Sequence, residues 1–552
     1  MKLSLRLTAG LIAFQVALGV SAADLNETQR LAGLCRVWGF IKYYNNNVSQ
    51  GGVDWNQALL DAIPPVKAAS GGDMYQNELL HLLRRAGYAE KAELNLSTSV
   101  FANVDWKWLD EAAGMTPLLA SLLRAIHDGH DGSTYFYYGE VFSGGNLDFI
   151  EDQKLGGSSW DSEEMRLFSL FCYWNIIEYF FPYKNLMDQP WDEVLLEFIP
   201  RFQAAATEAD YHLLVKELGA RLNDSHGLVY SAVLADHFNE DITVGFDVSY
   251  VEGRTVVTRV YPQLLAGADI RPGDVITHVN GRSTTVMRAE LRRYIQASNE
   301  ATLQRNLNRY LLAAPTLAYV LTVERDAQSF QLPLTGVAYF EYYAEVKAFE
   351  ARITAVQKID ANIGYIHMGA LTPDQAATAI AQLRDTQAII FDVRKYPQGT
   401  IWTLNNYLNP GPRPWAKFLY PLPSAPGYFG SALISTAPAG SNPDYYQGQI
   451  VILANEVTQS HAEYTCMALQ ATGRSTLIGS HTAGADGNVS FIYLPGKITA
   501  VFTGLGIFYA DGRQTQRIGI VPDIECRPTI EGIRAGRDEL LERALYFIRT
   551  GI

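Results

Sequence analysis

The strongest constraint on the fold lies in the first half of the chain, which repeats itself at a constant offset of 136 residues. LCRVWGFIKYY around Trp38 corresponds to FCYWNIIEYFF around Trp174. The same ungapped offset carries Trp55 onto Trp191, Leu59-Leu60 onto Leu195-Leu196, Ile63-Pro64 onto Ile199-Pro200 and Tyr75 onto Tyr211. Each copy reads as aromatic-rich amphipathic helices ending near a proline, with the aromatics packed in a core. Two like helical units are therefore expected over 23–150 and 151–240.

A chain of 552 residues exceeds what one core usually holds, so further domains must follow. The formal charge of −14 argues against a nucleic-acid partner. Lys2 and Arg6 precede an apolar run, Leu7 to Val20, and Val20-Ser21-Ala22 has the small-residue spacing of a signal-peptidase site. Residues 1–22 thus read as a cleaved signal peptide. The mature chain is expected to have no membrane span and a periplasmic or secreted location. Cys35, Cys172, Cys466 and Cys526 are too few and too scattered for a disulfide framework or a metal site, which favours free buried thiols.

Residues 241–332 read as a small β-rich domain. VGFDVSYVEGRTVVTRVYP alternates about a turn at Glu252-Gly253, and further turns are signalled at Pro272-Gly273 and Asn280-Gly281. Residues 333–552 alternate strands and helices in an α/β pattern: IGYIHMGAL is strand-like, Pro373 to Asp385 helical and AIIFDVR strand-like. A long aromatic loop is expected near 402–448. In Ile450 to Gln470 a buried strand over Ile450–Ala454 gives way to a helical pattern, Ala462, Cys466 and Leu469, so Ser460 falls at a strand-to-helix junction.

Ser460 followed by Glu463 has the spacing of a helix capping box. A hydroxyl in that place also lies beside unpaired N–H donors, where an oxyanion is stabilised. Two short segments supply histidines, Ile126-His127-Asp128-Gly129-His130 and Leu222-Asn223-Asp224-Ser225-His226. They do not superpose at the 136-residue offset. His127 and His130 lack a third ligand at clear spacing, and no metal or other cofactor is expected.

The β-rich domain resembles a PDZ domain in Val244-Gly245-Phe246 and in the Gly-Asp-x-Ile-x-x-Val-Asn-Gly run ending at Gly281. That resemblance implies a peptide end added as an edge strand at Val244, Gly245 and Phe246. FDVRKYPQG at 391–399, TQSHAEY at 458–464, GSHTAGADGN at 479–488 and GIVPDI at 519–524 resemble, in order and spacing, the C-terminal-processing or tricorn-type serine protease superfamily, the tail-specific proteases. The resemblance covers about 150–540 and implies a multidomain α/β protein. Its parts are the duplicated helical region, the PDZ-like domain and a crotonase-like α/β protease core over 333–552.

It further implies Ser460 as nucleophile, with the backbone N–H groups of Gly399 and His461 as oxyanion hole. Members using a lysine base carry it in the segment occupied here by Ala483-Gly484-Ala485-Asp486, where there is none, and Lys497 is the nearest later lysine. Tricorn-type members use a histidine preceded by an orienting serine, which matches Ser225-His226, and place a glutamate behind them where this chain has Gln516. His226 is thus the expected base, with His130 and His127 as rivals. The expected partner is a peptide or an unfolded or C-terminal protein segment, and oligomeric assembly is left open. The missing lysine and Gln516 motivate a second reading, an inactive peptide-binding or assembly protein on the same fold.

Overall fold

The computed structural model describes residues 25–87, 100–112, 114–132, 135–140, 145–149, 151, 154, 156–436 and 442–552. The signal peptide expected at 1–22 lies outside them. The chain divides into two compact units, Met1–Glu93 with Asp105–His130, and Leu94–Val104 with Asp131–Ile552. Among the described residues no helix is long and apolar enough to cross a membrane. None of the four cysteines is disulfide-bonded, and only Cys526 is not buried.

In the first unit helices α1 (Glu27–Tyr44), α2 (Trp55–Ala68), α3 (Gly72–Ala86) and α4 (Pro117–Asp128) pack around an aromatic core. Asn26 caps α1 by accepting Gln29 N–H at 2.9 Å while Gln29 answers with its own amide oxygen. Trp38 Nε1 donates to Trp55 O at 2.9 Å and Trp55 Nε1 to Trp38 O at 3.0 Å, so each buried indole satisfies its one polar atom on the other's backbone. Arg30 forks onto Leu25 O, Val66 O and Lys67 O, filling carbonyls that the last turn of α2 leaves unpaired.

The second unit opens with the same device. Helices α5 (Glu163–Phe180), α6 (Trp191–Ala204) and α7 (Glu208–Ala220) carry Trp174 and Trp191 in the same reciprocal pair, at 2.9 and 3.0 Å. Arg166 donates to Asp161 O, Phe202 O and Gln203 O. These are the acceptors of Arg30 displaced by 136 positions. The duplication therefore extends to individual hydrogen bonds.

After the short strand β1 (Leu228–Tyr230) comes the β-rich domain: β2 (Phe246–Val251), β3 (Arg254–Val260), β4 (Val275–Val279), helices α8 (Thr284–Leu291) and α9 (Glu300–Leu311), β5 (Ala318–Arg325) and β6 (Gln328–Thr335). Its sheet order is β6-β5-β4-β3-β2, which leaves β2 at an edge. Glu252 and Gly253 turn β2 into β3 with φ of 50° and 77°, a pair of left-handed residues suited to a two-residue hairpin. Asn280 and Gly281 do the same after β4, with φ of 49° and 79°.

The C-terminal part runs through β7 (Val356–Lys358), β8 (Ile363–His367), α10 (Ala376–Leu383), β9 (Ala388–Asp392) and α11 (Ile401–Leu408). The hairpin β10 (Pro414–Pro421) and β11 (Tyr428–Ser435) follows, then β12 (Gln449–Ala454), α12 (His461–Gln470) and β13 (Ser475–Gly479). A second hairpin, β14 (Val489–Leu494) and β15 (Ile498–Thr503), leads to β16 (Gly506–Tyr509), β17 (Ile524–Glu525) and α13 (Glu539–Thr550). The central sheet has the order β7-β8-β9-β12-β13-β17 and is parallel from β8 onward. Ala388–Asp392 and Ile450–Ala454 are buried throughout, as strands covered on both faces must be.

The aromatic loop expected near 402–448 is instead α11 and the β10/β11 hairpin. Trp415 and Ala416 turn into the core, and the hairpin is closed by β16 on its other side. Its aromatics are packing residues of a sheet whose cross-chain partner, 506–509, could not be found from local pattern.

Candidate active site

Ser460 follows the central strand β12 by a five-residue turn and opens α12, at the carboxyl end of a parallel sheet. Its backbone has φ 60° and ψ −127°, a left-handed conformation that costs a residue with a Cβ about 1–3 kcal/mol. The turn is held by its surroundings. Ser460 N–H donates to Ala485 O at 2.9 Å and to Glu463 Oε2 at 3.1 Å. The serine hydroxyl provides no side-chain cap for α12.

Glu463 is buried and accepts four donors: Ser460 N–H, Gly484 N–H at 2.8 Å, Ala485 N–H at 3.0 Å and the Thr482 hydroxyl. Burial pushes its carboxyl up to about 7 against the pull of those donors. Asp486 lies buried in the same region with Oδ2 unpartnered, pushed well above the ordinary range by burial and by Glu463. The segment 483–486 thus buttresses the turn through its N–H groups. Replacement of Glu463 by glutamine should destabilise the fold by about 2–3 kcal/mol at pH 5, because an amide nitrogen cannot accept the donors facing it. Since the folded carboxyl is raised above the unfolded value of 4.5, its contribution is complete below 4.5 and lost as pH rises through about 7. The gap between wild type and variant in urea denaturation should therefore narrow from pH 5 to pH 8, and a gap that widens would contradict this account.

His461, the first residue of α12, has an N–H with no acceptor within the helix, as any first-turn amide does. Gly399 has φ 76° on the loop after β9. Neither amide is spent on a backbone carbonyl among the described residues. The His461 ring is held between Tyr396 and Tyr464, with Nε2 buried and unpartnered, and burial lowers its basicity.

The loop carrying His226 is tied directly to this turn. Gln459, the residue before Ser460, donates its side-chain amide to Ser225 O, the residue before His226, at 3.1 Å. Arg305 of α9 holds Gln459 Oε1 at 2.7 Å and Glu456 O at 2.8 Å. Ser225 Oγ donates to Ala483 O at 2.9 Å and accepts Ser298 N–H at 2.8 Å. The side chain facing His226 Nδ1, at 3.0 Å, is Thr503 Oγ1 and not Ser225. Ser225, expected to face the imidazole, is turned away to fasten the loop, and the hydroxyl at the ring is that of Thr503.

Behind Thr503 lies Asp224, fully buried. It accepts the Thr503 hydroxyl at 2.9 Å, Thr503 N–H at 2.8 Å, His226 N–H at 3.1 Å and Gln516 Nε2 at 3.1 Å. Burial holds the His226 imidazole below its ordinary 6.5; Asp224 opposes that shift and Arg305 adds to it. The rival bases are otherwise engaged. Within the first unit His130 Nδ1 meets Tyr44 O at 3.2 Å, and the His127 ring packs on Tyr44 and Trp106. Lys497 stands exposed at the β14/β15 turn, separated from Thr503 by a six-residue strand, roughly 20 Å.

Residues 362–526, which include Gly399, Ser460, His461, Thr503 and Gln516, match the model of peptidase family S41. That segment of the chain is similar to this family of serine peptidases. A Streptomyces coelicolor protein named as a tricorn protease homolog is 22% identical over 400 residues, covering 65% of this chain and 30% of the relative. The chain therefore spans under a third of that relative's length. Among solved structures, mature CPAF bound to lactacystin superposes with a TM-score of 0.55 at 14% identity, over 71% of this chain and 99% of CPAF. Mature CPAF alone gives 0.53 at 14% identity, over 71% and 99%. The fold shared with CPAF thus extends beyond the matched segment. Asp224 and Thr503 carry no motif in the sequence: Asp224 lies in an Asn-Asp-Ser run of ordinary helix-end composition, and Thr503 ends an apolar strand.

Proposed function

We propose that this protein is an exported serine endopeptidase of the S41 type acting on peptides or on unfolded or C-terminal protein segments, with Ser460 as nucleophile and His226 as general base. The observation that carries the proposal is the Gln459–Ser225 hydrogen bond, which joins the residue before the nucleophile to the residue before the base. A serine hydroxyl is a poor nucleophile without an adjacent base. Ser460 Oγ attacks the scissile carbonyl, its proton passes to His226 Nε2, and the carbonyl π pair becomes an oxyanion facing the N–H groups of His461 and Gly399. Collapse expels the amine, which takes the proton from Nε2. Water then repeats the sequence on the acyl-enzyme.

Substrate is received, in this reading, by the β-rich domain acting in PDZ fashion. A cavity of about 600 Å³ is lined by Phe246, Val248 and Ser249 of the edge strand β2, by Asn308 and Leu312 at the end of α9, and by Glu456 and Val457 of the turn before Ser460. An extended peptide added along β2 would lie in a cavity that also borders the turn before Ser460. Val244 and Gly245 lie just before β2, where the Cβ of any other residue at Gly245 would meet Leu264 at 2.6 Å. The reading as an inactive binding module rested on Gln516 and the missing lysine, and Asp224 supplies the negative charge that Gln516 lacks.

The test is reaction with a fluorophosphonate under conditions where an unfolded polypeptide is cleaved. Inactivation should be stoichiometric, and mass spectrometry should place the adduct on Ser460. Cleavage that persists unmodified, or an adduct elsewhere, would overturn the assignment.

A further inference from the structure

We infer that Asp224 and Thr503 are the positioning residues of the base: the Thr503 hydroxyl passes the influence of the Asp224 carboxylate to His226 Nδ1. The inference rests on the reading of His226 as general base. It follows from donor and acceptor accounting. A carboxylate only accepts, so the Thr503 hydroxyl proton is committed to Asp224 Oδ1 at 2.9 Å. Thr503 Oγ1 can then only accept from the imidazole at 3.0 Å, which places the ring proton on Nδ1. Nε2 is left with its lone pair, the tautomer a general base requires.

The placement is fixed by strand register. β15 pairs antiparallel with β1, Thr499 opposite Tyr230 and Val501 opposite Leu228, and continuing that register sets Thr503 opposite His226. A slip of one residue would turn the hydroxyl to the other face. The charged groups acting on the ring are Asp224 from its own loop and Arg305 from α9. Gln516, from the segment after β16, is neutral and donates to the same Asp224 oxygen that accepts from Thr503, with its own Oε1 buried and unpartnered. Glutamine and aspartate therefore form an amide–carboxylate pair of fixed polarity, since an N–H in place of that oxygen could not accept the Thr503 proton. When His226 takes the proton from Ser460, the imidazolium keeps Nδ1–H on Thr503 and is balanced by Asp224; no proton moves to the carboxylate.

The experiment compares Asp224→Asn, Thr503→Val, Thr503→Ser and the double variant Asp224→Asn/Gln516→Glu by kcat/KM against pH, with His226→Ala as reference and unfolding midpoints measured for all. Asp224→Asn should lower kcat/KM roughly 10³–10⁴-fold. It should also move the acid limb to lower pH, since the group that raises the imidazole is gone. Thr503→Val should lose at least tenfold, and Thr503→Ser should stay within a few-fold of wild type. The double variant should stay as low as Asp224→Asn, because the new amide must turn its N–H toward the new carboxylate at the very place where the Thr503 hydroxyl proton needs an acceptor. An inactive His226→Ala with an unshifted limb in Asp224→Asn and full activity in folded Thr503→Val would overturn the relay alone. Activity retained in His226→Ala would instead remove the base on which it rests.

Discussion

Ser460→Ala should abolish peptide hydrolysis, by roughly 10⁴–10⁶-fold in kcat, while leaving the protein folded. A loss of that size corresponds to about 5–8 kcal/mol of transition-state stabilisation, far more than any packing contact of so small a side chain could supply. The fold should tolerate the change for two reasons found at the residue itself. The hydroxyl provides no side-chain cap for α12, and the N–H bonds to Ala485 and Glu463 that hold the turn are backbone donors. Alanine also carries a Cβ, so the strain at φ 60° is the same before and after. The unfolding midpoint should move by the equivalent of about 1 kcal/mol or less. Hydrolysis of a fluorogenic peptide, measured beside thermal unfolding, separates the outcomes: a folded variant that still turns over would remove Ser460 from the chemistry.

What the sequence disclosed divides along a physical line. Features set by local pattern or by internal repetition were legible: the duplication, down to the Trp38–Trp55 and Trp174–Trp191 pairs; the turns at Glu252-Gly253 and Asn280-Gly281; and the strand-to-helix placement of Ser460. Glu463 was legible as the fourth residue of a capping box, and it does accept Ser460 N–H. Its three other donors, from Thr482, Gly484 and Ala485, come from a segment some twenty positions on. Features set by pairing of distant segments were not legible. Thr503 reaches His226 only because β15 pairs with β1 across more than 270 residues of chain. The stretch near 402–448 was misread for the same reason, since β10 is completed by β16 nearly a hundred positions later. Asp224 stood in plain sight beside His226, but Asn-Asp-Ser before a turn has an ordinary structural explanation. Only the four donors that converge on its carboxylate distinguish it.

Replacement of His226 by alanine is the second large effect expected, a loss of about 10⁴-fold in kcat/KM at neutral pH. Its pH dependence carries more information than its size. In the wild type, burial depresses the imidazole below 6.5 and outweighs the opposing pull of Asp224. The acid limb of kcat/KM should therefore fall below pH 6.5, since activity requires the neutral ring and is lost only when it is protonated. The same shift enters stability. The unfolded chain binds the proton more readily than the fold does, so this histidine's contribution is intact above 6.5 and declines as pH falls through that value toward the folded pKa. His226→Ala should remove both effects together: the residual rate should lose its acid limb, and unfolding should become less sensitive to pH in that window. Removal of the ring also opens a space beside the Thr503 hydroxyl, which still donates to Asp224 and still offers an oxygen to an N–H. Added imidazole should enter it in the same tautomer and restore activity in proportion to its neutral form. Rescue that tracks the protonated form, or a wild-type limb that survives in the alanine variant, would show that another group accepts the Ser460 proton.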